Sequence, residues 1–279
     1  MSVLYLVATP IGNLEDITYR AVKILGSVPI IAAEDTRQTR KLLSHYKIEA
    51  SRRLISYHDY SEESQVDKII TLLDESDIAL VSDAGTPGIN DPGFALIGAA
   101  ILAGHTISPI PGPSAPIAAL TASGFPTDSF LYLGYLPRKT AQRKKSLESI
   151  VTLPYTLVFL ETPHRLLSAL DDIKIVLGPR QIAVARELTK IYEEIFRGSV
   201  DDAIAHFGRS TPRGEITLII AGAGKEPEQW TAHDINTAIE SALLTGEKTS
   251  SISRRLASES GWSRRKVYDL VTAYKNDST

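Results

Sequence analysis

Two stretches of this 279-residue chain gather the residue types that chemistry needs. In ARELTK, Glu187 and Lys190 stand three residues apart beside Arg186, at the end of an apolar run. A lysine in that position can stabilise a developing oxyanion, or take a proton if its pKa is lowered. Glu187 can orient it or accept the proton itself. The alternative is a surface turn closed by salt bridges. The second stretch, IALVSDAGTPGINDPG (Ile78–Gly93), sets Asp83 and a glycine-rich turn behind the apolar run Ile78–Val81. A strand that ends this way delivers a carboxylate and nearly bare backbone to the carboxyl edge of a sheet, where open α/β sheets bind ligands. The plainer reading is an ordinary βα loop.

Comparable turns follow other strand candidates, at TPIGN (Thr9–Asn13) and IPGPSA, and PRGE precedes the last one. Backbone N–H groups gathered at strand ends suit a ligand with carboxylate, ribose and adenine groups. Glu34-Asp35-Thr36-Arg37, at the end of the second strand candidate, is a further choice for substrate or dimer contacts. G-x-G-x-x-G is absent after the first strand, as is G-x-x-x-x-G-K-[ST], which argues against NAD and ATP. There is no H-E-x-x-H and no histidine cluster, so no metal site is expected. His58 and His164 are the histidines beside other candidate residues, and a structural hydrogen-bonding role suits both.

The elements that must position these residues alternate. Strands are expected at Val3–Ala8, Pro29–Ala33, Leu54–Tyr57, Ile78–Val81 and Thr106–Ile110. Helices fall between them: from an Asp16 cap through Leu25, at Gln38–Tyr46, Glu63–Leu73, Phe94–Leu102 behind an Asp91 cap with Pro92 at the first helical position, and Pro116–Ala122. This is an α/β domain with a mostly parallel sheet, residues 1–123. A second α/β unit, 124–224, has strands at Phe130–Leu136, Thr156–Leu160, Gln181–Glu187, Lys190–Phe196 and Glu215–Ala221, with helices at Arg165–Ile173 and Val200–Phe207. Its sheet is expected to be mixed. After a linker around Gly224–Trp230, residues 225–279 hold helices near Ala232–Leu244, Ser250–Ser258 and Ser263–Tyr274.

The composition is that of an ordinary globular protein, 43% hydrophobic and 23% charged, with net charge −3. Any nucleic-acid site must then be a local patch. Without cysteine there is no disulfide, thiolate metal site or cysteine nucleophile. MSVLYLVATPIGN lacks signal-peptide features and no run approaches a membrane span, so the cytoplasm is the expected compartment.

VATPIGNLEDIT, AAEDTRQTRKLL, VSDAGTPGINDPG, PIPGPSA, LPRKTAQRKKSLE, ETPHRL and ARELTKIYEE, in this order, resemble the tetrapyrrole methylase (class III) superfamily of S-adenosylmethionine enzymes. They match its branch that modifies ribosomal RNA. The resemblance covers nearly the whole chain. It implies 2′-O-methylation of a cytidine ribose in 16S rRNA at the decoding centre of the 30S subunit. It also implies a homodimer, with S-adenosylmethionine held in a cleft between two α/β domains. Carried over by position, the cofactor pocket would use Pro10, Ile11, Asp83, Gly85, Thr86, Ser114, Ala115 and Leu160. Ser82-Asp83-Ala84 stands where the tetrapyrrole branch has Gly-Asp-Pro. The RNA branch carries a second histidine and an asparagine where this chain reads Ser56-Tyr57-His58-Asp59-Tyr60.

Methyl transfer from a sulfonium is an in-line displacement that needs positioning and removal of a proton. Lys190, beside a bound sulfonium and partly desolvated, is expected to have a lowered pKa, with Glu187 and Arg186 beside it. The substrate set is Asp35, Arg37 and His58, the basic loop with Arg138, Lys139, Arg143 and Lys144, and the tail with Arg254, Arg255, Arg264, Arg265 and Lys266. From Lys248 to Lys275, seven cations against Glu259 and Asp269 leave a local excess of +5 on helices. Such cations neutralise phosphates, and Trp262 or Tyr268 would stack on a base. A solvated helical cap with its aromatics inside is the alternative. Two other functions remain: a tetrapyrrole methyltransferase of the same fold, and a nucleic-acid-binding protein without catalysis.

Overall fold

The computed structural model describes residues 2–49, 53–58, 63–210, 212–224 and 230–277. Residues 225–229 of the expected linker around Gly224–Trp230, together with Asp59 and Tyr60, lie outside the described residues. There are two compact units, Met1–Val151 with Tyr155–Ala221, and Thr152–Pro154 with Gly222–Thr279.

In the first unit, β1 (Val3–Val7), β2 (Ile30–Ala33), β3 (Arg53–Ser56), β4 (Ile78–Val81) and β5 (Thr106–Ile110) form a parallel sheet in the order β3-β2-β4-β1-β5. The inner strands β2 and β4 are apolar throughout rather than alternating because both faces are covered, while the edge strands β3 and β5 carry Arg53, Ser56 and Thr106. Ile30, Ala32, Ile78 and Leu80 pack on one side, with Ile69 and Leu73 of α3 (Glu63–Glu75) and Leu96 of α4 (Phe94–Leu102). Ile31, Ala33, Ala79 and Val81 pack on the other, with Leu25 of α1 (Tyr19–Ser27) and Leu43 of α2 (Thr36–His45).

The second sheet is mixed. It contains β6 (Phe130–Tyr135), β7 (Thr156–Glu161), β8 (Gln181–Arg186), β9 (Glu194–Ser199) and β10 (Ile216–Ile220) in the order β6-β7-β10-β8-β9. β6 and β7 are parallel and the other pairs antiparallel. Helix α5 (Ala115–Ser123) leaves the first sheet and buries Ala119 and Leu120 against Val158, Ala183 and Ile219 of the second.

Several boundaries differ from the sequence expectation. The segment expected as a basic loop is largely helix α6 (Thr140–Glu148), followed by α7 (Leu166–Leu177) and α8 (Val200–Phe207). Helix α1 is capped by Thr18, whose Oγ1 accepts from Ala21 N at 3.1 Å, while Asp16 ends a short 3-10 turn. Helix α4 begins after Gly93 (φ +154°) with no side-chain cap, so Asp91 does not cap it and Pro92 is not its first residue. β9 starts at Glu194 rather than Lys190, because residues 187–193 fold into a tight turn. There Lys190 N donates to Glu187 O at 3.0 Å and Glu193 N to Lys190 O at 3.1 Å.

The second unit packs α9 (Ala232–Leu244), α10 (Thr249–Ser260) and α11 (Arg264–Asp277) around Ile235, Ile239, Ile252, Leu256, Val267 and Val271. Gly261, at φ +68°, reverses the chain between α10 and α11. Trp262 is turned inward, its Nε1 donating to Trp230 O at 2.8 Å, whereas Tyr268 is 48% exposed. Among the described residues no helix is long and apolar enough to cross a membrane.

Candidate active site

The strand order brings β2, β4, β1 and β5 side by side, so the turns that follow them meet at one sheet edge. Thr9 and Gly85 exchange backbone bonds, Thr9 N to Gly85 O at 2.8 Å and Gly85 N to Thr9 O at 2.9 Å. Thr86 Oγ1 donates to Pro113 O at 3.2 Å, tying the central loop to PGPSA. A reciprocal clasp joins β2 to β4: Asp35 N donates to Asp83 Oδ1 at 3.0 Å, and Asp83 N donates to Glu34 Oε2 at 3.1 Å.

Between this edge and the second sheet lies a cavity of about 280 Å³. Seven of the expected cofactor residues line it: Ile11, Asp83, Gly85, Thr86, Ser114, Ala115 and Leu160. Pro10 does not, and lines an adjoining groove of about 600 Å³ that shares Ile11, Asp83, Ala84 and Glu215 with the cavity. Among the described residues the cavity wall carries the carboxylates of Glu34, Asp83, Asp91, Glu161 and Glu215, and no lysine or arginine. Glu161 is fixed there, accepting from Thr162 N at 2.7 Å and from Arg165 Nη2 at 3.0 Å. Tyr132 donates to Asn90 Oδ1 at 2.6 Å, and burial pushes its hydroxyl pKa up to about 12. A wall of this charge suits a ligand bearing a sulfonium and an ammonium, and opposes a phosphate chain. The residues therefore fit S-adenosylmethionine.

At the edge of the groove, Lys190 Nζ lies 2.8 Å from Glu187 Oε1 and 3.1 Å from Glu215 Oε2. Burial is the largest single influence on Lys190 and lowers its pKa. The hydrogen bonds and charges of Glu187 and Glu215 together outweigh it, so the net shift is upward. This corrects the expectation of a lowered lysine pKa: the structure presents an ammonium, not a base. Glu187 is held below the ordinary carboxylate range, chiefly by its hydrogen bond from Lys190, and it also accepts from Glu215 N at 3.0 Å. Arg186 points elsewhere, into Glu194 Oε2 at 2.9 Å and Arg213 O at 3.3 Å, and lines neither the cavity nor the groove.

The turn is strained and tightly seated. Glu187 and Thr189 have φ of +50° and +64°, a conformation that favours glycine. A Cβ on Gly12 would fall 2.5 Å from Lys190 Cγ, and one on Gly214 would overlap the Glu187 carboxyl. Gly12, Gly214 and Glu215 are the members of this cluster that the sequence reading misses. The glycine turns TPIGN and PRGE are the signal: besides bordering the ligand edge, they form the seat of ARELTK.

The expected substrate residues are dispersed. Asp35 caps α2 and pairs with Arg37 at 2.8 Å, which holds its carboxyl at about 2. His58 is exposed at the end of β3, its Nε2 2.9 Å from Ser56 Oγ, and lines neither cavity nor groove. Arg138 and Lys139 are exposed before α6. Arg143 is not available to RNA: it is 2% exposed, with Nε 2.7 Å from Asp172 Oδ2. Lys144 leans to the same carboxylate at 3.5 Å. In the helical unit Arg254, Arg264 and Arg265 are exposed, Arg255 pairs with Glu247 at 2.7 Å, and Lys266 lies 3.9 Å over the Trp262 ring.

Residues 3–204 match the family model of tetrapyrrole (corrin/porphyrin) methylases. A ribosomal RNA small subunit methyltransferase I from Halalkalibacterium halodurans is 44% identical over 272 residues, covering 96% of this chain and 93% of its own. One of the same name from Synechocystis is 45% identical, covering 99% and 100%. The methyltransferase CobJ has a similar structure, with TM-score 0.61 and 18% identity over 80% of this chain and 95% of its own. Diphthine synthase gives 0.60 and 12% over 79% and 90%. At these identities the structures show the fold alone.

Proposed function

This chain belongs to the tetrapyrrole (corrin/porphyrin) methylase family, among the relatives named ribosomal RNA small subunit methyltransferase I, and on that premise we propose that it methylates a cytidine 2′-hydroxyl of 16S rRNA at the decoding centre. S-adenosylmethionine supplies the methyl group, carried on a sulfonium. The observation that carries this reading is the carboxylate-walled cavity joined, through Glu215, to the Lys190 turn. Asp83, at the head of the Gly85 turn, would hold the cofactor's cationic end by charge. Leu160, Ala115 and Ile11 exclude water from its apolar surface.

Lys190 acts as a fixed ammonium that stabilises negative charge developing on the 2′-oxygen, whose proton leaves to solvent water as the methyl group is transferred. Glu187, locked by Lys190 and Glu215 N, orients that ammonium rather than accepting the proton. Arg254, Arg264 and Arg265 hold RNA phosphates on the helical unit, and Arg138, Lys139 and Lys144 do so on the α/β unit. The enzyme works as a homodimer in the cytoplasm.

The test is to incubate 30S subunits with methyl-labelled cofactor and digest the RNA in alkali. A 2′-O-methyl group blocks cleavage at its own phosphodiester, so label is expected in an alkali-resistant dinucleotide that begins with cytidine. Label in mononucleotides would place the methyl group on a base and overturn the ribose assignment.

A further inference from the structure

The groove of about 600 Å³ beside the cofactor cavity is itself large enough to hold a ligand, since its volume lies within the 300–1,000 Å³ range of ligand sites. Pro10, Ile11, Leu14 and Leu42 give it an apolar wall, and Gln38 and Lys41 give it polar groups. It meets the cavity at Asp83, Ala84 and Glu215, and Glu215 is the residue that holds Lys190. A molecule seated in the groove therefore borders the cofactor cavity and touches Glu215, the partner of Lys190.

Helix α2 borders this groove, and its charge is one-sided. Thr36–His45 contains Arg37, Arg40 and Lys41 and no acid, and all three cations are exposed. At 100° per residue, positions 37, 40, 41 and 44 share one face, and position 41 lies between that face and the groove-lining side of 38 and 42. Thr39 and Leu43 are turned into the protein. A basic face thus stands directly outside a cavity whose described wall has only carboxylates for charge. A nucleotide entering there is oriented by the contrast, with its phosphates on α2 and its ribose toward Lys190.

Resting on the proposed RNA substrate, we infer that this groove seats the target nucleotide and that Arg40 and Lys41 hold the phosphates flanking it. The ligand class is single-stranded RNA, because a groove of this size admits one splayed nucleotide and not a duplex. Lys41 Nζ, now 3.2 Å from Gln38 Oε1, stands at the groove's rim, where a phosphate contact positions the strand.

The experiment uses the full chain with 30S subunits and compares wild type, Arg40→Glu with Lys41→Glu, the milder Lys41→Gln, and Lys68→Glu on α3 as a control for surface charge. The double variant should raise KM for 30S tenfold or more, with kcat and calorimetric affinity for S-adenosylmethionine unchanged. Its dependence of log affinity on log salt should be shallower by about 0.7 for each phosphate no longer neutralised. Lys41→Gln should move the same way by less, and Lys68→Glu should match wild type. Unchanged KM and salt slope in the double variant, or a fall in kcat alone, would overturn the subsite while leaving the proposed function standing. Absence of methyl transfer by the wild type would overturn both.

Discussion

Replacing Gly214 by alanine should disarm the enzyme without unfolding it. Gly214 sits at φ +84°, and a Cβ there would overlap the Glu187 carboxyl. The left-handed conformation costs an alanine about 1–2 kcal/mol. Displacing Glu187 loses its hydrogen bond to Glu215 N at 3.0 Å and its ion pair to Lys190 at 2.8 Å. A hydrogen bond to a charged group contributes about 1.5–3 kcal/mol and a partly exposed ion pair about 0.2–1 kcal/mol, so the total is about 3–6 kcal/mol. For a unit of this size that lowers Tm by roughly 6–24 °C and leaves it folded at 25 °C. Lys190 loses its orienting partner, and misplacement of about 1 Å costs roughly 10²-fold in rate. Calorimetric melting and single-turnover transfer from labelled cofactor to 30S read both effects. Adding Glu187→Gly removes the clash and relieves the φ of +50° at that position, while the left-handed alanine and the lost carboxylate contacts remain, so it should recover part of the lost Tm and none of the rate. A Gly214→Ala protein that melts and transfers like wild type would refute the assigned role of this turn.

Lys190→Ala should lower kcat by about 10²–10⁴, with cofactor and 30S affinities little changed, as single-turnover kinetics will show. The upward shift of Lys190 keeps it charged through neutrality, so the rate should be flat between about pH 6 and 9; an inflection near pH 7–8 that vanishes in Lys190→Arg would restore the base role. Glu187's lowered pKa means the pair stabilises the fold above the ordinary value of 4.5 and loses that stabilisation as pH falls through the folded value. Lys190's raised pKa keeps it below the ordinary 10.5, with loss only as pH rises through the folded value. The Tm difference between wild type and Lys190→Met should therefore hold between those limits and shrink in acid. Arg143→Ala leaves the buried Asp172 with only the longer contact to Lys144 at 3.5 Å and should destabilise by up to about 3–5 kcal/mol in a melt. Replacing Arg254, Arg264 and Arg265 by alanine should leave Tm alone and flatten the salt dependence of RNA binding.

The ligand edge is legible in the sequence because its signals are local. An apolar run, an aspartate and clustered glycines mark Ile78–Gly93 wherever the partners lie, and buried parallel strands announce themselves as continuous Val, Ile, Leu and Ala. The seat of Lys190 is not legible. Gly12 and Gly214 reach it from far along the chain, and nothing near them in sequence names Glu187 as the neighbour they leave room for. Arg143 is hidden by its company: one cation in a basic run turns inward with the helical period, and its partner Asp172 lies on another helix. The Lys190 pKa depends on Glu215, 25 residues away, which helps to reverse the sign that burial alone would set.

The measurement closest to the central claim is methyl transfer to 30S subunits by wild type and by Asp83→Ala, under single-turnover conditions with labelled S-adenosylmethionine. Asp83 lines both the cavity and the groove, and its removal leaves Asp35 N without its acceptor while sparing the buried strands. The wild type should transfer the methyl group. The variant should lose both transfer and calorimetric cofactor binding, at a melting temperature within a few degrees of wild type. Transfer and cofactor affinity equal to wild type in Asp83→Ala would contradict the claim.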